Sequence, residues 1–230
     1  MTKSSHDALD QVAKRRVFVV DDHPLVRESL MALIEDQSDL CVSGEAADSA
    51  TAFNALLRDS ADVVVVDLGL PGESGLELIK KIQVLTPLPR ILVVSMHEEA
   101  TYAERALRAG ALGYVMKQES TDKVITAIRT VLRGEVYVSG PLATQLAQKF
   151  VGARKATDFS VAGRLSDREL EIFRLIGLGH ETRRIAEELH VSMKTVQAHN
   201  ASIKEKLGLA NATELIREAL RWVEQRGTSR

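Results

Sequence analysis

The sequence lacks the features that mark several classes of protein. Its 230 residues include a single cysteine, Cys41, so no internal disulfide can form. The cysteine and histidine spacings typical of zinc sites are also missing. No apolar run approaches the roughly 18–20 residues that span a bilayer, and residues 1–16 lack the apolar centre of a secretory signal. We therefore expect a cytoplasmic protein with no membrane partner.

Charge is nearly balanced over the whole chain but unevenly distributed along it. The net charge is −2, with a net of −4 over residues 1–163 and of +2 over residues 164–230. This asymmetry is a weak indication that any nucleic-acid surface lies in the C-terminal part. The length is sufficient for two modest domains, each with its own core.

Short apolar runs alternate with amphipathic stretches over the first 133 residues. Such alternation predicts βαβ units and a parallel sheet that is buried on both faces. The strands are predicted at 16–21, 40–45, 62–67, 90–95 and 112–116, and the helices at 25–36, 49–59, 74–84, 99–109 and 121–133. From 134 to 163 we predict a linker with one short helix at 141–151 and a polar, loop-like stretch at 152–163. The remainder is predicted to be helical, at 167–178, 182–190, 193–207 and 212–225.

Polar side chains end four of the predicted strands. The acidic pair Asp21-Asp22 ends the first, Asp67 the third, Ser95 the fourth and Lys117 the fifth. The carboxyl ends of parallel strands meet at one edge of the sheet, where open α/β sheets bind their ligands. The sequence therefore predicts one site with three carboxylates, a hydroxyl and an ammonium.

These groups suit phosphoryl transfer to a carboxylate. The reaction needs an in-line acceptor and a cation that stabilises the developing oxygen charge. Mg²⁺ is a hard ion that is held by carboxylates, water and phosphate oxygen. We predict that Asp67 is the acceptor and, with Asp22, a direct metal ligand, that Asp21 binds the metal through water, and that the carbonyl of Gly69 is a further ligand. Lys117 and Ser95 would contact the phosphoryl oxygens.

The first part of the chain resembles the receiver domain of two-component response regulators. The resemblance covers about 15–133 and rests on V-D-D-H-P at 20–24, D-L-G-L-P-G-E-S-G at 67–75, V-S-M-H at 94–97 and G-A-L-G-Y-V-M-K at 110–117. It implies a flavodoxin-like, five-stranded fold, Mg²⁺ and phosphorylation by a sensor histidine kinase. It also implies that Ser95 and Tyr114 form a switch that responds to the phosphoryl group.

Two residues near this site, Gln118 and His97, need separate interpretation. Gln118 stands where many receivers have a proline after the lysine, so the Lys117–Gln118 bond is either cis and strained or trans. His97 lies two residues after Ser95. It either lines the phosphoryl site and alters the access of hydrolytic water, or is an exposed loop histidine.

The C-terminal helices contain the pattern of a helix-turn-helix. Ser166 and Glu169 form a capping-box pattern, and Ser192 can cap the helix that follows the tight turn at Val191-Ser192. Two short helices joined so closely share one apolar face and leave a polar face on the second helix. The polar face of that second helix presents Lys194, Thr195, Gln197, Asn200 and Lys204.

Residues 164–224 resemble the DNA-binding domain of LuxR-type regulators, and the whole chain resembles the NarL/FixJ subfamily. The resemblance implies that the helix at 193–207 enters the major groove. Lys194, Thr195, His199 and Lys204 are predicted to contact the DNA backbone. Gln197, Ala198 and Ala201 are predicted to contact base edges, and Asn200 completes the predicted DNA-binding set.

The combined prediction is a transcriptional regulator in which phosphorylation of Asp67 either releases the helix at 193–207 from obstruction by the receiver and linker or promotes dimerisation. It is not expected to be an enzyme beyond the chemistry of its own aspartate. Its domains are predicted at 15–133 (receiver), 134–163 (linker) and 164–226 (helix-turn-helix). The expected partners are a sensor histidine kinase, promoter DNA and a second copy of the chain, with RNA polymerase as a further candidate. One alternative is a signalling adaptor that regulates a protein partner without binding DNA. A metal-dependent phosphatase is another, although Gly69 stands where a D-x-D pair needs its second aspartate.

Overall fold

Five parallel strands form the centre of the N-terminal half of the molecule. The computed structural model describes residues 13–152 and 161–227. The strand order in the sheet is β2-β1-β3-β4-β5, and every neighbouring pair is parallel. The strands are β1 (Arg15–Val20), β2 (Leu40–Ala46), β3 (Val63–Val66), β4 (Arg90–Ser95) and β5 (Gly113–Met116).

Helices cover both faces of this sheet, which explains why the strands are continuously apolar. Alternate side chains of one strand point to opposite faces: Val17 and Val19 pack with the helices of one face, and Phe18 and Val20 with those of the other. On the first face lie α1 (Pro24–Glu35) and α5 (Thr121–Leu132), and on the second lie α2 (Ser49–Arg58), α3 (Gly75–Ile82) and α4 (Glu99–Ala109). We call the unit from β1 to α5 the α/β domain.

The C-terminal part is helical throughout the residues that the structure describes. Its core contains Phe173 and Trp222, whose ring centroids are 5.9 Å apart in an edge-on arrangement. The glycine at 177 allows close approach of two helices, because a Cβ there would overlap with the carbonyl oxygen of Ala219. The helices are α6 (Gly140–Gly152), α7 (Val161–Arg164), α8 (Asp167–Gly177), α9 (Thr182–Glu188), α10 (Met193–Leu207) and α11 (Ala212–Gly227). We call the unit from α7 to α11 the helical domain.

The predicted fold class is confirmed: a five-stranded parallel α/β domain is followed by a helical domain. One local prediction was wrong. The stretch 152–163 was expected to be loop-like, but residues 161–164 form the short helix α7, whose Val161 carbonyl accepts a hydrogen bond from Leu165. Residues 153–160 of that predicted loop lie outside the described residues. Within the described ranges, no helix is long and apolar enough to cross a membrane.

Candidate functional site

Asp67 lies directly after β3, and its backbone is fixed on both sides. Its N–H donates to the carbonyl of Val20 at 2.8 Å, which ties it to the end of β1. The start of α3 packs so closely behind it that a Cβ on Gly75 would overlap with the Asp67 carbonyl oxygen. Ser74 caps α3 by accepting a hydrogen bond from Glu77. These contacts hold Asp67 at the carboxyl edge of the sheet with 4% of its surface exposed.

The side chain of Asp67 meets two of the predicted partners. Ser95 donates its hydroxyl to Asp67 Oδ1 at 2.7 Å, and Lys117 Nζ lies 2.6 Å from Asp67 Oδ2. Lys117 also lies 2.6 Å from Asp21 Oδ2, so that one ammonium bridges two buried carboxylates. The structure therefore brings the predicted acceptor, the hydroxyl and the ammonium together, as the strand ends predict.

The acidic residues form a group that could hold a divalent metal. Ligand atoms of Asp21, Asp22, His23 and Asp67 lie within 4.8 Å of one another. Three carboxylates and the ammonium of Lys117 leave a local charge of −2, which a divalent cation would neutralise. Oxygen ligands of this kind suit a hard ion such as Mg²⁺. His23 was not predicted to be a ligand, and its Nδ1 lies 2.6 Å from Asp22 Oδ1.

Burial and charge act in opposite directions on these groups. Burial raises the pKa of the Asp67 carboxyl, but the Lys117 ammonium and the Ser95 hydroxyl outweigh it, so its pKa lies below the ordinary value. The pKa of Asp21 shifts the other way. Burial raises it by more than the hydrogen bond with Lys117 lowers it, so it lies above the ordinary value. Burial lowers the pKa of Lys117, but the two carboxylates raise it by more. Asp67 is therefore an anion at neutral pH.

Tyr114 is turned inward and joined to the loop between β4 and α4. Its side chain is buried, and its hydroxyl donates to the backbone carbonyl of His97 at 2.7 Å. The N–H of His97 in turn donates to Ser95 Oγ at 3.3 Å. The predicted switch residues Ser95 and Tyr114 are therefore linked through a single loop residue.

His97 is not an exposed loop histidine. Only 11% of its side chain is exposed, and its ring lies 4.7 Å from that of Tyr102. A Cβ on Gly69 would lie 3.7 Å both from His97 Nε2 and from Asp67 Oδ2, which places the imidazole beside the acceptor. Burial, with the charge of Arg174, lowers the pKa of His97 to about 4, so the ring is neutral at physiological pH.

The peptide bond between Lys117 and Gln118 is trans. Within the described ranges, Thr86–Pro87 is the one cis bond. A proline is therefore not required for the lysine to reach Asp67 at this distance.

The face of α10 that was predicted to meet DNA points largely to solvent. Ser192 caps this helix by accepting a hydrogen bond from Thr195 at 3.0 Å, and Val196 and Ile203 anchor it in the core. The predicted DNA-binding residues all lie on α10: Lys194, Thr195, Gln197, Ala198 and Ala201 are exposed, and His199, Asn200 and Lys204 are half-buried. The helix therefore offers a continuous accessible surface.

Comparison with known proteins identifies both domains. Residues 17–129 match the family description "Response regulator receiver domain", and residues 163–219 match "Bacterial regulatory proteins, luxR family". The oxygen regulatory protein NreC of Staphylococcus haemolyticus is 38% identical over 210 residues, which span 90% of this chain and 97% of that protein. This chain belongs to the NarL/FixJ subfamily of response regulators.

Solved structures of other response regulators agree with this assignment. A LuxR-family member from Aurantimonas sp. SI85-9A1 is 37% identical with a TM-score of 0.56, over 60% of this chain and 99% of its own. RcsB of Salmonella enterica serovar Typhimurium, bound to promoter rprA in the presence of the phosphomimetic BeF3-, is 28% identical with a TM-score of 0.58, over 89% of this chain and 97% of its own.

In this response regulator, the helical domain contacts the α/β domain next to Asp67. Asp167 at the start of α8 forms ion pairs with Arg105 of α4 and, at 3.1 Å, with Lys80 of α3. Glu171, one turn later, has its Oε1 3.9 Å from His97 Nε2. No sequence pattern predicted this interface. The patterns assign these α8 residues only to a capped, amphipathic helix, because contacts between domains leave no periodic signal.

Proposed function

We propose that this chain is a transcriptional regulator whose DNA binding is controlled by phosphorylation of Asp67. The observation that carries the proposal is the arrangement at Asp67: a buried, ionised carboxylate in contact with Ser95 and Lys117, within an acidic group that fits a divalent metal. The surface proposed to bind DNA in response is the accessible face of α10. The proposed domains are the receiver at 15–133, the linker at 134–163 and the DNA-binding domain at 164–226.

Each residue around Asp67 has a different proposed role in phosphoryl transfer. Mg²⁺, when bound, would neutralise charge that develops on the phosphoryl oxygens; Asp22, Asp67 and the Gly69 carbonyl would hold it directly, and Asp21 through water. Asp67 attacks the phosphorus atom of the donor, forming an oxygen–phosphorus bond as the bond to the leaving group breaks. The ammonium of Lys117 then pairs with a phosphoryl oxygen, and the Ser95 hydroxyl donates a hydrogen bond to another.

The natural phosphodonor in this proposal is a sensor histidine kinase, and no external substrate is turned over. On phosphorylation, Ser95 would transfer its hydrogen bond from Asp67 Oδ1 to a phosphoryl oxygen. The loop that carries His97 would respond, because the His97 N–H donates to Ser95 and the His97 carbonyl accepts from Tyr114. The new charge-assisted hydrogen bond from Ser95 to the phosphoryl group would favour one of two arrangements of this loop. The loop also contacts α8, which provides a route to the helical domain.

Two copies of the chain are proposed to bind an inverted-repeat promoter site and to act on RNA polymerase there. One small domain contacts few phosphates, so affinity depends on a pair of domains. The base-facing residues Gln197, Ala198 and Ala201 are exposed, so control by simple burial of that face is disfavoured. Phosphorylation would instead act on the position of the domains and on dimerisation.

The substitution Asp67→Asn tests the proposal. The amide is nearly isosteric but cannot accept the phosphoryl group. We expect the variant to fold, to stay unmodified by a small-molecule phosphodonor with Mg²⁺, and to show no phosphodonor-dependent gain in binding to genomic promoter fragments. A gain equal to that of the wild type would contradict the mechanism. If the phosphorylated wild type shifts no genomic fragment but retains a protein partner, the adaptor function is favoured instead.

A further inference from the structure

A cavity lies at the amino edge of the sheet, opposite the edge that carries Asp67. Asp62 comes directly before β3 and Asp67 directly after it, so the length of that strand separates the two places. The cavity has a volume of about 350 Å³ and is bordered by the starts of β1 and β4, the chain before β3 and the end of α5. We call it the amino-edge pocket and define it by six of its lining residues: Arg15, Arg16, Asp62, Leu88, Arg90 and Leu132.

The lining of this pocket is positively charged. Arg15 and Arg16 begin β1 and Arg90 begins β4, so the parallel strands bring three guanidinium groups to one place. Arg15 Nη1 donates to Asp62 Oδ1 at 3.2 Å, and the backbone N–H of Arg16 donates to Asp62 Oδ2 at 2.8 Å. The side chain of Arg16 pairs with Asp59, which does not line the pocket. Three positive charges against two negative charges leave a net charge of +1.

Arg90 is the arginine whose charge no carboxylate balances. Among the residues that the structure describes, its side chain has neither a hydrogen bond nor an ion pair. Its backbone N–H donates to the Asp62 carbonyl at 2.8 Å, which fixes the start of β4 beside Asp62. Its Nη2 lies 3.8 Å from the position of a Cβ on Gly134, so the guanidinium lies near the end of α5. A guanidinium presents its donors in a planar fork that fits phosphate oxygens.

Two leucines form an apolar wall beside the guanidinium groups. Leu88 is 45% exposed, and Leu132 at the end of α5 is half-buried. Sites for small molecules combine apolar walls with a few polar groups that fix the orientation of the ligand. The lining therefore suits an anion that carries an apolar part: the anion would meet the arginines, and the apolar part would cover the leucines.

We propose that the amino-edge pocket binds a small molecule that carries a diphosphate group, with Arg90 as the main anchor. Arg15 and Arg16 provide further donors, since each guanidinium has five N–H groups and their aspartates occupy only some of them. Free pyrophosphate and a nucleoside diphosphate share this chemistry, and they differ in whether they contact the leucines. The pocket uses none of the residues around Asp67, so this site is independent of the proposed phosphorylation.

Isothermal titration calorimetry of the full-length chain in Mg²⁺-free buffer tests the site with three probes: pyrophosphate, ADP and adenosine. We expect ADP to bind most tightly, pyrophosphate more weakly and adenosine not measurably. Arg90→Gln should weaken ADP binding roughly tenfold, because charge-assisted hydrogen bonds are lost. Arg183→Gln is the matched control, since this exposed arginine lies on α9 and pairs with Glu187. Its affinity for ADP should equal that of the wild type.

A second variant should change the affinity in the opposite direction. Asp62→Asn removes the carboxylate that competes for Arg15 and should strengthen ADP binding roughly threefold, a gain that a damaged fold would not produce. Asp122→Asn, which changes an exposed aspartate in the first turn of α5, should leave the affinity unchanged.

The outcomes of these titrations separate the two ligand sources and the failures. Equal affinities for ADP and pyrophosphate would support the site with free pyrophosphate as its ligand. Binding of adenosine as tight as that of ADP would overturn the inference, as would an absence of binding by all three probes. Equal weakening in Arg90→Gln and Arg183→Gln would also overturn it, because the anions would then bind without a specific site.

Discussion

Gly75 is a residue whose importance comes from the side chain that it lacks. The first turn of α3 passes directly behind Asp67, and the space between the two backbones is too small for a Cβ. The glycine thereby lets α3 begin where it supports the acceptor. The neighbours of Asp67 set its charge, but its position depends on this close approach of two backbones.

We predict that Gly75→Ala disturbs both stability and phosphorylation. The added methyl group would overlap with the Asp67 carbonyl oxygen, so β3 or α3 must shift, at a cost of about 3 kcal/mol in the free energy of unfolding. The stability measured by denaturant unfolding and the initial phosphorylation rate should both fall. Gly140→Ala is the control, since no atom lies within 4 Å of a Cβ there. Normal phosphorylation of Gly75→Ala would show that this close approach does not position the acceptor.

Whether single residues could be predicted depended on where they lie. Asp21, Asp67, Ser95 and Lys117 could be predicted because each ends a strand, and parallel strands place their ends together. The inward position of Tyr114 and the burial of His97 could not, since both depend on how one loop packs against Tyr102 and Glu171. His23 could be placed beside the acidic pair because it directly follows Asp22, and it stands at the start of α1 as the sequence predicts.

At the scale of elements, α8 is tied to α10 by a buried carboxylate. Glu169 completes the predicted capping box by accepting a hydrogen bond from the Ser166 N–H at 2.7 Å. Its carboxylate also accepts from the Ser202 hydroxyl at 2.7 Å and pairs with Lys206 at 2.6 Å. The capping box was readable from the sequence, but the bonds to α10 were not, because they join residues 33 and 37 positions apart.

We predict that Glu169→Gln lowers the free energy of unfolding by about 2 kcal/mol at neutral pH, since charge-assisted bonds become neutral. Burial raises the pKa of Glu169, but Lys206 and Ser202 outweigh it and hold the pKa at about 2, below the ordinary 4.5. The contribution of the charge is therefore complete above about pH 4.5 and is lost as pH falls toward 2. Denaturant unfolding of wild type and variant across this range should show the two stabilities converging in acid.

The control for this prediction is Glu187→Gln on α9, where the glutamate pairs with Arg183 at the surface. Its unfolding free energy should differ little from that of the wild type at any pH, because exposed ion pairs contribute little. A difference between wild type and Glu169→Gln that stays constant down to acid pH would show that removal of the charge is not the cause.

At the scale of the whole molecule, the order of the domains follows from the sequence but their interface does not. The sequence pattern of alternating strands and helices, followed by helices alone, predicted the fold class correctly. The ion pairs of Asp167 with Lys80 and Arg105 join α8, α3 and α4, three helices whose mutual contacts the periodicity of the sequence does not reveal. The same interface leaves the predicted DNA-binding face of α10 largely accessible, while α8 contacts the loop beside Asp67.

That accessible helix allows backbone and base contacts with DNA to be separated. In the proposed complex, Lys194 neutralises a phosphate, whereas Gln197 contacts a base edge. Lys194→Ala should weaken binding to all sequences and reduce the slope of log affinity against log salt by about 0.9 for each phosphate that is no longer neutralised, or about 1.8 for a dimer. Gln197→Ala should leave that slope unchanged and reduce discrimination between a selected site and its base-substituted versions by about 1–3 kcal/mol.

Fluorescence-anisotropy titrations of the phosphorylated protein at several salt concentrations measure both quantities. Lys123→Ala serves as the control, because this exposed lysine lies on α5 in the α/β domain, away from α10. It should change neither the slope nor the discrimination. If Lys194→Ala altered sequence preference at an unchanged slope, the assignment of backbone and base contacts along α10 would have to be reversed. If neither variant affected binding, the DNA surface would lie on a different element, and the exposure of α10 would need another explanation.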